Sequence, residues 1–546
     1  MLSCKELSPH HREVAWPVVH AQTSLGGYLC RCMPPRPRLE IPPPKVLTPK
    51  QYLDLAVSGA PHPPDGSNFP PLVNGRVNLA NHPGGMTVKS LPCAEIVGDL
   101  LAVGCQNLER VDCIVRGDAI LDRSGVREFG PSFRVEGELS AQACSRLEHL
   151  EGDFPCSVEL SDSSVRRLGA GFSCAGSLSV SGCLSLESLD CRVRGAVFAR
   201  GSSLISLGPN FACCGDLCLE DCLSLSYVGI VGGPPRRVDI SRSSVAEVGP
   251  SFSCYDDLLA RDMPRLRRLS GSTSGSLSVS SAPLLSSVSF SARRSLSLGE
   301  CPSLMVLEFS TNGGVSLHKC GIDRIAPHSS GGGELSLVGC HRLQELSLAW
   351  PGSVVLVDLP DLEVISPLFA SEGSLLVRSC PSLRSLAGSV SSRVDLVEVP
   401  ALSEIDHDFT VGGDMTISGS FHSLKTIGCS VAASLTIVGP CSLESTNPSL
   451  RVGGSLLLCR CSELKVLRGL VEGTVKIVEG SGLEKLGADF ECGGDLMLSD
   501  GLSDLRLNCR VAGNVIVERW KIASTGPAFS CGGAFSASLP AENTPL

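Results

Sequence analysis

The residues of this chain with the most chemical potential are its 27 cysteines. A cysteine serves as a nucleophile when partial exposure and nearby positive charge stabilise its thiolate, and as a zinc ligand when paired at C-x2-C spacing. Cys254-Tyr255-Asp256 offers a thiol beside a carboxylate. Cys254, however, follows Phe252 in a Phe-x-Cys pair that recurs with Cys174, Cys213, Cys492 and Cys531. A slot that recurs this way is structural, and no catalytic residue is assigned. Cys30-x-Cys32, Cys213-Cys214 and Cys459-x-Cys461 are close pairs, and His10-His11 lies near the start. None of them repeats at a zinc-ligand interval, and no metal site is assigned. Glycine pairs such as Gly412-Gly413, Gly453-Gly454 and Gly493-Gly494 open no helix, and a G-x-x-x-x-G-K-[ST] loop is absent. No cofactor is implied.

Charge and hydropathy narrow the partners. The net charge of −10 gives no general attraction to nucleic acid or to anionic membrane. The arginine pairs Arg166-Arg167, Arg236-Arg237, Arg267-Arg268 and Arg293-Arg294 hold no common register, as a nucleic-acid stripe would. No apolar run reaches the roughly 18 residues that span a bilayer. The N-terminus carries charges and no apolar core of a Sec signal. The expected state of the cysteines is therefore reduced and buried, as small hydrophobes, with the cytoplasm as the expected location.

The elements that must position these residues repeat. Cys105, Cys144, Cys183 and Cys222 are each 39 apart, as are Phe133, Phe172 and Phe211, and again Phe490 and Phe529. Gly130, Gly169, Gly208, Gly249, Gly487 and Gly526 each stand three residues before a phenylalanine. Within each unit lies a half-repeat, G-x-[LV]-x-[LVI]-x-x-[CS]-x-x-[LV]-x-x-[LVI]. There are 23 halves between Leu101 and Ser536, with a mean step of about 20 residues. The [LV]-x-[LVI] alternation has period two, a strand with one face buried and its middle residue outward. The preceding glycine permits a tight corner, the small Cys or Ser occupies a crowded turn, and L-x-x-L brings the chain back. One such turn cannot bury its own apolar face. Stacked turns can, which makes a solenoid.

Leu178-Ser-Val180-Ser-Gly-Cys183-Leu-Ser-Leu186-Glu-Ser-Leu189 and Leu335-Ser-Leu337-Val-Gly-Cys340-His-Arg-Leu343-Gln-Glu-Leu346 resemble the cysteine-containing leucine-rich repeat, L-x-L-x-x-C-x-x-L-x-x-L. The likeness is closest to short bacterial-type repeats, found in effectors delivered into host cells. It implies a stack of short parallel strands with irregular or turn-like returns, and delivery by a non-Sec route as a second location. The leading Leu is often Ala, Cys or Gly, and Ser often replaces Cys, so a closed parallel β-helix remains the alternative fold. In bacterial leucine-rich-repeat ubiquitin ligases a Cys-x-Asp pair is catalytic in a helical domain beyond the repeats; Cys254 lies inside the repeats here.

Three segments are expected. Residues 1–85, with 16 of the 36 prolines falling in residues 1–92, form a Pro-rich, largely disordered arm with a capping helix near 49–58. Residues 86–540 form the solenoid, and 541–546 a tail. Functional weight then rests on the outward row of the strands. Its candidate binding residues are Phe198, Asp239, Leu259, Ser278, Ser297, Ser316, Ser336, Val355, Leu376, Asp395, Leu457, Lys476, Met497 and Ile516. Apolar side chains in such a row point to a protein partner or a second copy of the chain. The expected function is a non-enzymatic protein-interaction scaffold, with a bacterial effector as a narrower form. The alternative is an enzyme or carbohydrate-binding protein using a β-helix face. That chemistry needs carboxylates on adjacent turns, and Glu159, Asp239 and Asp395 stand several turns apart.

Overall fold

A computed structural model describes residues 45–59, 70–169, 171–229, 233–326, 328–479, 482–499 and 504–538. The disorder expected of the arm falls largely on 1–44 and 60–69, and the expected tail on 541–546, all outside the described residues. What is described is a β-solenoid of stacked parallel strands, with one α-helix at its start.

One turn shows how the sequence builds it. Leu178–Ser179 is the first strand, with Leu178 buried and Ser179 turned outward. The chain bends at Gly182 (φ 68°), buries Cys183 and Leu186, and forms a second strand at Ser188–Leu189. Asp190-Cys191 makes a corner into a third strand, Arg192–Val193. Gly195 then closes the turn and the next outward-row strand begins at Val197. A Cβ on Gly195 would lie 2.6 Å from the backbone carbon of Gly176, one turn below, so the corners stack too closely for a side chain.

The first strands form a ladder of 24, from Val77–Asn78 to Phe535–Ser538. Each strand pairs with its counterparts one turn before and after, which makes an open ladder roughly 110 Å long at ~4.8 Å per rung. The second and third strands also pair between turns, as in Ser188 with Ser206 and Cys174 with Val193. The returns are therefore hydrogen-bonded walls, and the closed β-helix cross-section is the form observed. These walls escape sequence reading because their strands are two residues long with one inward side chain, too short to show alternation. In the middle of the stack the two return walls merge. Ser287–Ala292 runs as one strand with Val288, Phe290 and Ala292 buried in alternation.

The stack begins before residue 86. Val46–Leu47 pairs with Leu72–Val73, and Val77–Asn78 with Leu100–Leu101. The surrounding prolines hide this turn in the sequence. The helix Pro49–Ser58 starts at Thr48, whose side chain accepts from the Gln51 amide at 3.4 Å, and ends at Gly59 (φ 63°). Its Tyr52 and Leu53 join the core, and the Tyr52 hydroxyl donates to the Pro92 carbonyl at 2.8 Å.

A column of left-handed residues runs up the corner after the first strand. Glycine fills it at Gly104, Gly182, Gly201 and Gly339, but Arg123, Ala143, Asp221, Lys319 and Glu479 occupy it as well, with φ of 53–57°. A non-glycine residue there carries roughly 1–2 kcal/mol of strain. Ala143→Gly should stabilise the protein by about 0.5 kcal/mol after the entropy cost of glycine is subtracted. Ala119→Gly, at a buried inward position with ordinary strand geometry, should cost about 1 kcal/mol or more. Urea midpoints of the two variants should move in opposite directions; equal losses would remove strain from the account of this corner.

Candidate functional site

The outward row is one continuous line. Rung pairing runs Phe198 to Cys218, Cys218 to Asp239, Asp239 to Leu259 and Leu259 to Ser278. It continues through Ser297, Ser316, Ser336, Val355, Leu376 and Asp395. Thr416 and Thr436 carry it to Leu457, Lys476, Met497 and Ile516. All fourteen candidate residues thus share one face, and the side chains on either side of each, such as Leu456 and Leu458, are buried.

Their exposure is lower than a free row implies. Phe198 is 42% exposed, and Ser297, Ser316 and Lys476 are exposed. Val355, Leu376, Leu457, Met497 and Ile516 are half-buried, and Leu259, at 9%, belongs to the packed wall. Rungs about 4.8 Å apart cover the flanks of any long side chain, leaving its tip to solvent. The charged members are held differently. Asp395 accepts from Arg393 at 2.8 Å, and Asp239 accepts the Ser241 amide at 3.0 Å. Lys476 stands between Leu457 and Met497 with no ion pair among the described residues.

Sequence reading missed a second outward column. From Leu258–Arg261 onward the first strands are four residues long, so the residue two beyond the row also faces out. Val338, Val357, Arg378 and Val397 form consecutive rungs of it, beside Ser336, Val355, Leu376 and Asp395. Val338, Val357 and Val397 are half-buried and Arg378 is exposed, which widens the apolar strip to two columns. The signal was present: the alternation simply continues one step past the template.

The cysteines line the interior. Every described cysteine except Cys93, Cys156, Cys214, Cys218, Cys459 and Cys531 is buried. Cys222 donates its thiol to the Ala199 carbonyl at 3.1 Å, and Ser202 one turn below donates to the same carbonyl at 2.8 Å. Ser and Cys exchange freely at this corner because either can supply that donor. Cys254 donates to the Asp256 carbonyl at 3.2 Å, and burial, with the nearby Asp257 and Asp256 carboxylates acting in the same direction, pushes its thiol up to about 11. Little thiolate forms there at neutral pH. Of the close pairs, Cys213 points inward and Cys214 outward, while Cys461 is buried beneath half-exposed Cys459; Cys30, Cys32, His10 and His11 lie outside the described residues. One group with metal-ligand spacing stands apart, at Asp406, His407 and Asp408. It is a surface corner where the two carboxylates flank the imidazole at 3.0 and 3.4 Å.

No protein-family model matches this chain, and no curated protein matches it. Among the described residues no helix is long and apolar enough to cross a membrane.

Two measurements test the register and the thiol interior. Leu457→Asp should cost about 1 kcal/mol or less, whereas Leu458→Asp places a charge in the core and should cost about 4 kcal/mol. Equal losses in denaturant midpoint would mean the row is one residue out of register. In a native alkylation time course read by mass spectrometry, Cys214 should react first among the described cysteines. Burial pushes Cys340 and Cys429 up to about 12, and these should react only on unfolding. Prompt labelling of either would contradict their place in the wall.

Proposed function

We propose that this solenoid is a non-enzymatic scaffold that binds a partner protein on its outward row. The observation that carries the reading is the two-column strip formed by Val338, Val355, Val357, Leu376 and Val397 on consecutive rungs. A solvated sheet face with nothing to bind would carry polar residues at these positions. Here apolar tips share the wall with two charges, Arg378 between Val357 and Val397 and Asp395 beside Val397, a mixture of apolar and polar groups such as protein interfaces carry. Solenoids commonly bind along such repeated faces. The narrower form, a bacterial effector that binds host proteins after non-Sec delivery, draws support from the cysteine-containing leucine-rich-repeat likeness alone. The enzymatic alternative lacks support on this face, since its carboxylates stand on isolated rungs.

The test is affinity capture with the full chain against a Leu376→Ser, Leu457→Ser double variant whose native fold is checked by circular dichroism. The variant should lose the captured partner, with binding weakened at least tenfold in titration. Retention of the same partner at the same affinity would exclude the outward row as the binding surface.

A further inference from the structure

The corner after each first strand carries a column of inward side chains, one per turn. In its lower half thiol and hydroxyl alternate: Ser124 lies 3.5 Å from Cys144, Ser163 from Cys183 and Ser202 from Cys222. Higher in the column, hydrogen-bonded thiols face each other on successive turns at two places among the described residues. These are Cys301 with Cys320 and Cys441 with Cys461. The first pair is sealed. Both side chains are fully buried, with the Gly299 carbonyl 3.3 Å from Cys301 and the Leu298 carbonyl 3.4 Å from Cys320 to accept from them.

The second pair is held differently. The rungs Val438 with Cys459 and Ser445 with Val466 bracket this corner, and by their register Cys441 falls opposite Ser462, one residue out of step with Cys461. The turn below fixes Cys441 there: it bridges to Phe421, and the Ser442 amide bonds to the Phe421 carbonyl at 2.9 Å. Among the described residues Cys441 donates to no carbonyl, and Cys461 reaches only that of Cys459, at 3.9 Å. The Cys461 thiol instead donates to the Cys441 sulfur, as does the Leu443 amide. These two donors hold Cys441 below the ordinary cysteine range against the effect of burial, whereas its donor role and burial raise Cys461. Thiolate therefore forms on Cys441, which also keeps what surface the pair has, 5% against 0% for Cys461.

We propose that Cys441 and Cys461 form a disulfide between successive turns by exchange with a small-molecule disulfide, adding a covalent rung to the stack. Cα atoms about one rung apart fall inside the roughly 4.4–6.8 Å that a disulfide spans. The Cys441 thiolate attacks one sulfur of the reagent, whose S–S bond breaks and releases a thiolate. Cys461 gives its proton to that thiolate, and its sulfur displaces the remaining reagent sulfur from Cys441. The pair loses two electrons and the reagent disulfide gains them, leaving as one thiol and one thiolate. Half-exposed Cys459 stays out of the exchange, because left-handed Arg460 turns the chain from its outward side to the inward side of Cys461. This site stands or falls independently of the outward row.

The test incubates the native full chain with millimolar oxidised glutathione, blocks free thiols by alkylation, and maps unreduced tryptic peptides by mass spectrometry. Cleavage after lysine and arginine puts Cys441 in peptide 426–451, Cys459 in 452–460 and Cys461 in 461–465. Peptides 426–451 and 461–465 should appear as one linked species, with fragmentation placing the bond on Cys441 and not on Cys429. Cys461→Ser should instead accumulate a glutathione adduct on Cys441, and Cys459→Ser should leave the link unchanged. The linked chain should have a higher urea midpoint than the same chain reduced with dithiothreitol, a shift that Cys441→Ser lacks. Free thiols at both Cys441 and Cys461 after the incubation would overturn the proposal. So would a link from Cys459 to either of them, or a Cys461→Ser chain with no adduct on Cys441.

Discussion

Each residue of the outward ladder has its own repeat counterpart, about 4.8 Å away, as its nearest neighbour between turns. That single constraint sorts the sequence. Apolar residues gain from it, since like stacks on like in columns such as Leu335, Val354 and Leu375. Charges lose from it, because like charges directly opposite repel. The outward row obeys this closely. Glu159 lies between Ser140 and Ser179, Asp395 between Leu376 and Thr416, and Lys476 between Leu457 and Met497. Paired carboxylates on adjacent rungs, as acid–base chemistry would need, are what this stacking works against.

The same constraint explains why strained corners persist. The chain must turn out of the first strand within a few residues and keep its amides aligned with the next turn. Left-handed backbone does both: the amides of Arg123 and Ala143 bond forward to Gln142 and Ser161 at 2.8 Å. A hydrogen bond gained at each turn offsets strain that a lone loop would relax away. Small polar residues after the stacking glycines extend the pattern. Asp495 accepts the Asn514 amide at 2.7 Å, and Asn514 accepts the Ala534 amide at 2.8 Å.

Legibility in the sequence followed the length of each strand. The first strand shows three positions of alternation per turn, enough to place Leu457 outward between buried Leu456 and Leu458. The return strands show one inward residue each, and their walls emerged only from the backbone. The left-handed column was hidden because Arg123, Ala143 and Lys319 have nothing in common but their place. Val77–Asn78 was hidden by prolines that favour an extended, coreless reading.

The stacking also decides what the outward row can offer. Its backbone groups are bonded between rungs, as from Leu376 to Asp395, so on the proposed reading only side-chain tips meet a partner and selectivity depends on their shape and charge. A change of partner would then require substitution of several stacked residues, each constrained by the rung above and below.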